Sequence, residues 1–161
     1  MSWMVMYLKP RCEKKLAEFC RIQNLEYYLP LRMERKIYQR RKVIVEKPVF
    51  SGYFFASADE DGKLSLLKTN NIVRILMPVH EQDFLFQLEQ VRKALTADPT
   101  LGSSMAIEKG KRVRITGGPF MGIEGMVNSM KSQSKVCLNV EMIGRAVVVE
   151  VFREFLEIID D

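Results

Sequence analysis

Catalytic raw material is scarce in this chain. Its 161 residues include one histidine, His80, and three cysteines, Cys12, Cys20 and Cys137. His80 follows Pro78 at a helix start, where it reads as a cap or a solvent-facing side chain rather than a general base. The cysteines have no metal-ligand spacing and their odd number leaves a thiol over, so buried thiols in a reducing cytoplasm are expected, with no metal. A glycine-rich phosphate loop is missing too, since Gly117-Gly118 follows a strand pattern but leads to neither a helix nor a Lys-Ser/Thr pair. The acid pair Asp160-Asp161 is expected to be frayed. With these gaps no catalytic residue and no cofactor are expected, and the chain does not read as an enzyme. Apolar runs fall short of the ~18 residues of a membrane span, and Met1–Lys9 does not read as a signal peptide.

What the chain does have is an apolar share of 47%, enough for a packed core, and a localised charge. Between Arg32 and Lys47 stand seven basic residues (Arg32, Arg35, Lys36, Arg40, Arg41, Lys42, Lys47) against Glu34 and Glu46, a local excess equal to the formal net charge of +5. Either this ridge contacts a polyanion or it is a solvated hairpin kept soluble by its charges.

Two textures divide the chain. Trp3–Leu8 is apolar on both alternating faces, as in a central strand covered on each side. A helix is expected from about Arg11 to Ile22, with Leu16, Phe19 and Cys20 inward. Tyr27–Leu31 reads as a strand, the basic segment as a hairpin through Ile37 and Val43 to Val45, and Val49–Ala56 as another strand. Asp59 can cap a short helix at Lys63–Thr69, and Ile72–Leu76 makes a further strand. Phe84, Leu88, Val91 and Leu95 repeat at helical spacing over His80–Leu95. Residues 96–107 have no period and read as a linker. Beyond them, Val113 and Ile115, then Val136, Leu138 and Val140, then Val147, Val149 and Val151 alternate with other residues, which favours short strands in a small barrel. The fold class is therefore α+β: a sandwich of sheet and helices over 1–95, a linker over 96–107, and a five-stranded β-barrel over 108–161.

The barrel half contains Lys111-Arg112-Val113-Arg114-Ile115-Thr116-Gly117-Gly118-Pro119-Phe120-Met121-Gly122-Ile123-Glu124-Gly125-Met126-Val127, which resembles the KOW motif. Its glycines supply the sharp reversals that a small SH3-like barrel needs, and Phe120 can plug the barrel end. In the first half, Trp3 and Tyr7, the basic hairpin, and Pro48-Val49-Phe50-Ser51-Gly52-Tyr53-Phe54-Phe55 stand in the order and spacing of the N-terminal domain of the NusG family. Thr69-Asn70-Asn71-Ile72-Val73-Arg74 and Ile143-Gly144-Arg145 resemble further family segments. The short start and Tyr7-x-Lys9-Pro10-Arg11 are similar to the specialised paralogues, RfaH and the UpxY antiterminators. Ser51 departs from the proline usual there. Gly62-Lys63-Leu64-Ser65 stands where RfaH has His-Thr-Thr, so the resemblance does not extend to that gate-loop contact.

The resemblance implies a monomeric, cytoplasmic elongation and antitermination factor, brought to the nucleoid by bacterial RNA polymerase. Tyr7, Phe50, Tyr53 and Phe55 would then form the cavity for the polymerase clamp helices, although some of these rings can instead fill the core. Alternation places Tyr53 and Phe55 on one strand face and Phe54 on the other. Arg35, Lys36, Arg40, Arg41 and Lys42 would hold the non-template DNA strand by its phosphates, with Tyr38 stacking on a base. Phe120, Met121 and Ile123 would meet a partner of the barrel, which in the family is Rho or a small-subunit ribosomal protein.

The rival readings are a KOW-containing RNA-binding or ribosome-associated protein and a duplex-DNA reader. Ser51–Ala58 superficially matches the RNP1 strand of RNA-recognition domains, but Ser51, Phe54 and Ala58 stand where a basic, a small and an aromatic residue are needed. A helix-turn-helix signature is absent.

Overall fold

The computed structural model describes residues 1–159; Asp160 and Asp161 lie outside the described residues. The chain runs β1 (Ser2–Leu8), α1 (Glu13–Ile22), β2 (Glu26–Tyr28), β3 (Leu31–Tyr38), β4 (Arg41–Pro48), β5 (Tyr53–Ala58), α2 (Glu60–Leu67), β6 (Ile72–Leu76) and α3 (Glu81–Ala97). It continues through β7 (Ser103–Met105), β8 (Lys111–Ile115), β9 (Glu124–Val127), β10 (Gln133–Val140), β11 (Arg145–Phe152) and β12 (Leu156–Ile158). It forms two compact units, one from Met1–Pro30 and Phe50–Glu81, the other from Leu31–Val49 and the chain from Gln82 onward.

The first unit is built on an antiparallel sheet in the order β2-β5-β1-β6. β1 is internal, and its successive residues Met4, Val5 and Met6 are all buried, as an apolar run covered on both faces requires. Helix α1 begins at Glu13, later than the sequence suggests, because Arg11 adopts a left-handed φ of 62° that helical backbone excludes. Leu16 and Cys20 face inward as expected. Asp59 caps α2, its Oδ1 accepting the Gly62 N–H at 2.8 Å, and this cap starts the helix at Glu60, ahead of the expected Lys63.

The second unit contains three parts. The basic hairpin is a two-stranded sheet, β3 with β4, in register from Leu31↔Pro48 to Tyr38↔Arg41. Helix α3 buries Phe84, Leu88, Val91 and Leu95, the four residues marked by its periodicity. The third part is an antiparallel sheet in the order β12-β8-β9-β10-β11-β7, that of a small SH3-like barrel with one strand more than the five expected. The addition is β7, which pairs its Ser103–Met105 with Val147–Arg145 of β11 from within the segment read as a linker. Val113, Ile115, Val127, Val136, Leu138, Val147 and Val149 form the barrel core.

Strand β10 is buried on both faces where simple alternation predicts one. Leu138, like Val136 and Val140, is buried at the barrel interior. The alternate residue Asn139 holds the chain at Ile107, accepting the Ile107 N–H at 3.2 Å and donating to its carbonyl at 2.9 Å. Helix α3 also meets this side. Gln90 Oε1 accepts the Glu124 N–H at 2.9 Å, and Gln87 Oε1 accepts the Glu141 N–H at 2.9 Å. A cavity of about 360 Å³ lies between them, lined by Gln87, Gln90, Met126, Cys137, Leu138 and Asn139 among others. The sequence of the strand alone does not reveal this second burial, because the covering groups come from more than 30 residues away.

Candidate functional site

Two surfaces gather the residues singled out above. In the first unit, Phe50-Ser51-Gly52-Tyr53 is a tight turn closed by the Tyr53 N–H to the Phe50 carbonyl at 3.0 Å. Gly52 holds a φ of 86° in its third position, as a type II turn needs. Ser51 occupies the second position, where proline is favoured but not obligatory, so the departure at Ser51 leaves the turn intact. Glu13, itself buried, fixes the turn by accepting the Gly52 N–H at 2.9 Å. Sequence reasoning missed Glu13, and no local signal marks it, since its partner is 39 residues away.

The turn delivers Tyr53 beside Tyr7, its register partner on β1. The rings meet edge to face, with centroids 5.4 Å apart. Tyr7 is 40% exposed and Tyr53 half-buried, so both present surface. Arg74, also missed, is the register partner of Tyr7 on the other side and is exposed. Phe50 and Phe55 differ: they are 2% and 0% exposed and belong to the core. Phe55 stacks against Tyr28, and Phe54 on the opposite face stacks against Tyr27. Of the four residues read as a polymerase cavity, two reach the surface and two fill the interior.

The hairpin is the second surface. Its tip, Gln39-Arg40, has φ values of 48° and 67°, the mirror-image turn of a two-residue hairpin made without glycine. Strand alternation splits the six candidates. Lys36, Tyr38 and Arg41 share one face with Arg32, Glu34, Val43, Val45 and Lys47, while Arg35 and Lys42 lie on the other with Met33, Ile37, Ile44 and Glu46. Arg40 sits at the tip itself.

At the base of the Tyr38 face, Glu34 pairs with Lys47 at 3.0 Å and Arg32 at 3.5 Å. The hydrogen bond from Lys47 holds the Glu34 carboxyl below the ordinary carboxylate range, and the Lys47 ammonium lowers the pKa of neighbouring Lys36. Charge near the base is thus partly compensated. Arg35, Arg40, Arg41 and Lys42 form no salt bridge among the described residues, so the free cations lie toward the tip. Arg32 also donates to the Thr100 carbonyl at 3.1 Å, and the Met33 N–H donates to the Pro99 carbonyl at 2.7 Å, tying residues 98–102 to the hairpin base.

In the barrel, Ile123 is 2% exposed and part of the core, Phe120 is half-buried, and Met121 is 68% exposed. Met121 alone of these three offers a wide surface. The ring that lies against Gly117 and Gly118 is Phe155, which the sequence reading did not single out. Cys12, Cys20 and Cys137 are free and buried. No group of His, Cys, Asp or Glu among the described residues is arranged to hold a metal, and no helix among them is long and apolar enough to cross a membrane.

The family model described as transcription termination factor nusG matches residues 1–95. The transcription termination/antitermination protein NusG of Campylobacter jejuni is 30% identical, across 73% of this chain and 69% of that protein. The protein of the same description from Borreliella burgdorferi is 22% identical across 97% of both chains. A solved structure titled for domain interaction in Thermotoga maritima NusG shares the fold, with a TM-score of 0.51, 16% identity and coverage of 99% of this chain and 97% of that one. This chain belongs to the NusG family of non-enzymatic transcription termination and antitermination factors.

Proposed function

We propose that this protein is an elongation and antitermination factor that binds the clamp helices of the largest subunit of bacterial RNA polymerase. The observation that carries this reading is the Tyr7–Tyr53 pair, two rings that keep exposed surface while their neighbours on the same strands are buried. Aromatic side chains anchor interfaces well because each removes a large area from water while losing few rotamers. Residues 1–95 form the polymerase-binding domain in this reading, 96–107 the connection, and 108–161 a barrel that engages a second partner, Rho or a small-subunit ribosomal protein, through Met121. The protein works in the cytoplasm as a monomer, associated with the nucleoid through polymerase.

The hairpin complements the clamp contact. Lys36, Arg40 and Arg41 hold the phosphates of the non-template strand in the transcription bubble, and Tyr38, 69% exposed beside its register partner Arg41, stacks on a base. Holding clamp and DNA together favours the closed, elongating polymerase over paused states. The Tyr7-x-Lys9-Pro10-Arg11 stretch supports a specialised paralogue that serves particular operons.

The test is binding of the full chain to an isolated clamp-helix coiled coil, beside Tyr7→Ala and Tyr53→Ala. Micromolar or tighter binding that both substitutions weaken is the expected result. Absence of binding by the folded wild-type protein would shift the reading to a KOW-containing RNA-binding or ribosome-associated protein.

A further inference from the structure

The two faces of the hairpin differ in chemistry. On the face opposite Tyr38, the register sets Ile37 across from Lys42 and Arg35 across from Ile44. Ile37 and Ile44 are therefore diagonal neighbours, crossed by the diagonal of Arg35 and Lys42, and Met33 extends the apolar line toward the base. All three aliphatic side chains are exposed, Ile37 at 76%, Ile44 at 63% and Met33 at 42%. An aliphatic surface of this kind neither stacks on bases nor pairs with phosphates. Its gain comes from leaving water against another apolar surface.

The strands beneath it form a sheet of two strands only. A two-stranded sheet gains stability when something packs on one of its faces. We propose that the Met33–Ile37–Ile44 face docks on a protein surface with an apolar centre and an acidic rim, so that the hairpin grips nucleic acid with one face and protein with the other. Charge complementarity selects the partner's chemistry: Arg35 and Lys42 flank the aliphatic diagonal, and Glu46, at the base, is the one acid on this face. The inference rests on the reading above for the complex that presents that surface, a transcribing polymerase.

The experiment uses the full chain and purified elongation complexes of two kinds, one with a complete bubble and one assembled without the non-template strand. Affinities are measured for wild type, Ile37→Thr/Ile44→Thr, Arg35→Glu, Lys36→Ala/Arg41→Ala and Tyr7→Ala. Threonine keeps the β-branch, so the exposed strands retain their local preference. The isoleucine double variant is expected to bind about tenfold more weakly to both complexes, as loss of apolar anchors does, and Arg35→Glu to weaken binding to both. Lys36→Ala/Arg41→Ala is expected to weaken binding only where the non-template strand is present. Equal binding by wild type and Ile37→Thr/Ile44→Thr, with Tyr7→Ala still impaired, would overturn the inference and leave the polymerase reading standing. A deficit of the isoleucine variant that disappears without the non-template strand would also overturn it, by assigning this face to nucleic acid. Failure of wild type to bind either complex would remove the polymerase reading and the inference with it.

Discussion

The edge of one tyrosine ring meets the face of another where β1 and β5 run side by side: Tyr7 and Tyr53 are register partners with ring planes at 64°. Two residues before Tyr7 on β1 and two after Tyr53 on antiparallel β5, the paired positions hold Val5 and Phe55, both fully buried. One sheet face thus passes from interior to surface within a single pleat repeat, and the pair of tyrosines marks the boundary.

That boundary separates two kinds of substitution. Tyr7→Ala is expected to leave the fold intact and to weaken clamp-helix binding by about tenfold or more. Phe55→Ala is expected to cost about 3–5 kcal/mol of stability by emptying a core site. Urea unfolding beside the binding assay distinguishes them, since the first variant keeps its midpoint and the second loses it.

Gly125→Ala is expected to destabilise the barrel by about 1–3 kcal/mol through overpacking. A Cβ there would meet Val136 Cγ1 at 2.7 Å and the Cys137 carbonyl oxygen at 2.8 Å, and the latter is backbone with little room to move. Thermal unfolding followed by circular dichroism measures the loss. Gly122→Ala makes the useful contrast, since its cost comes from a φ of 91° and not from contact, nothing lying within 4 Å.

Gln90 is almost fully buried and accepts the Glu124 N–H. Gln90→Leu fills a similar volume but removes the acceptor, leaving a part-buried donor unsatisfied at a cost of about 1–3 kcal/mol. Amide exchange at Glu124 is expected to accelerate. Gln87→Leu is expected to do less, because Glu141, its partner, is exposed and water replaces the bond.

Burial pushes the Cys20 thiol up to about 11 from its ordinary 9.0. Native protein at pH 8 is therefore expected to resist alkylation at Cys20, and unfolded protein to react. Between the two values the unfolded chain sheds the thiol proton while the folded chain keeps it, so stability falls as pH rises through that window and is fully present below it. Urea midpoints at pH 8 and pH 10 measure the fall, and it is expected to be smaller in Cys20→Ala.

Lys36→Ala/Arg41→Ala is expected to flatten the salt dependence of single-strand binding by about 1.4 in the logarithmic slope, about 0.7 for each lost phosphate contact. Titration of a labelled oligonucleotide at several salt concentrations gives the slope. An unchanged slope would show that these cations do not touch phosphate.

Local chemistry was enough for much of this protein. The periodicity of Phe84, Leu88, Val91 and Leu95, the Asp59 cap and the valine alternation of β10 and β11 are written within a few residues, because helical and strand spacing impose them directly. The confinement of the net charge to the hairpin and the glycine-bearing turns of the barrel were legible for the same reason. The sheet-and-barrel class and the family resemblance followed from them. Tertiary structure alone decided which aromatic residues reach water: Phe50 and Phe55 carry the same motif as Tyr53, yet both are buried, Phe55 between strands β1 and β2 with Val5 as register partner and Tyr28 stacked on its ring. It also decided that β7 joins the barrel and that Gln87 and Gln90 cap its strands, and it sorted the hairpin cations onto two faces. Sorting needs the register, and register is set by pairing between strands. Burial needs groups that arrive from tens of residues away, and no short stretch of sequence records their arrival.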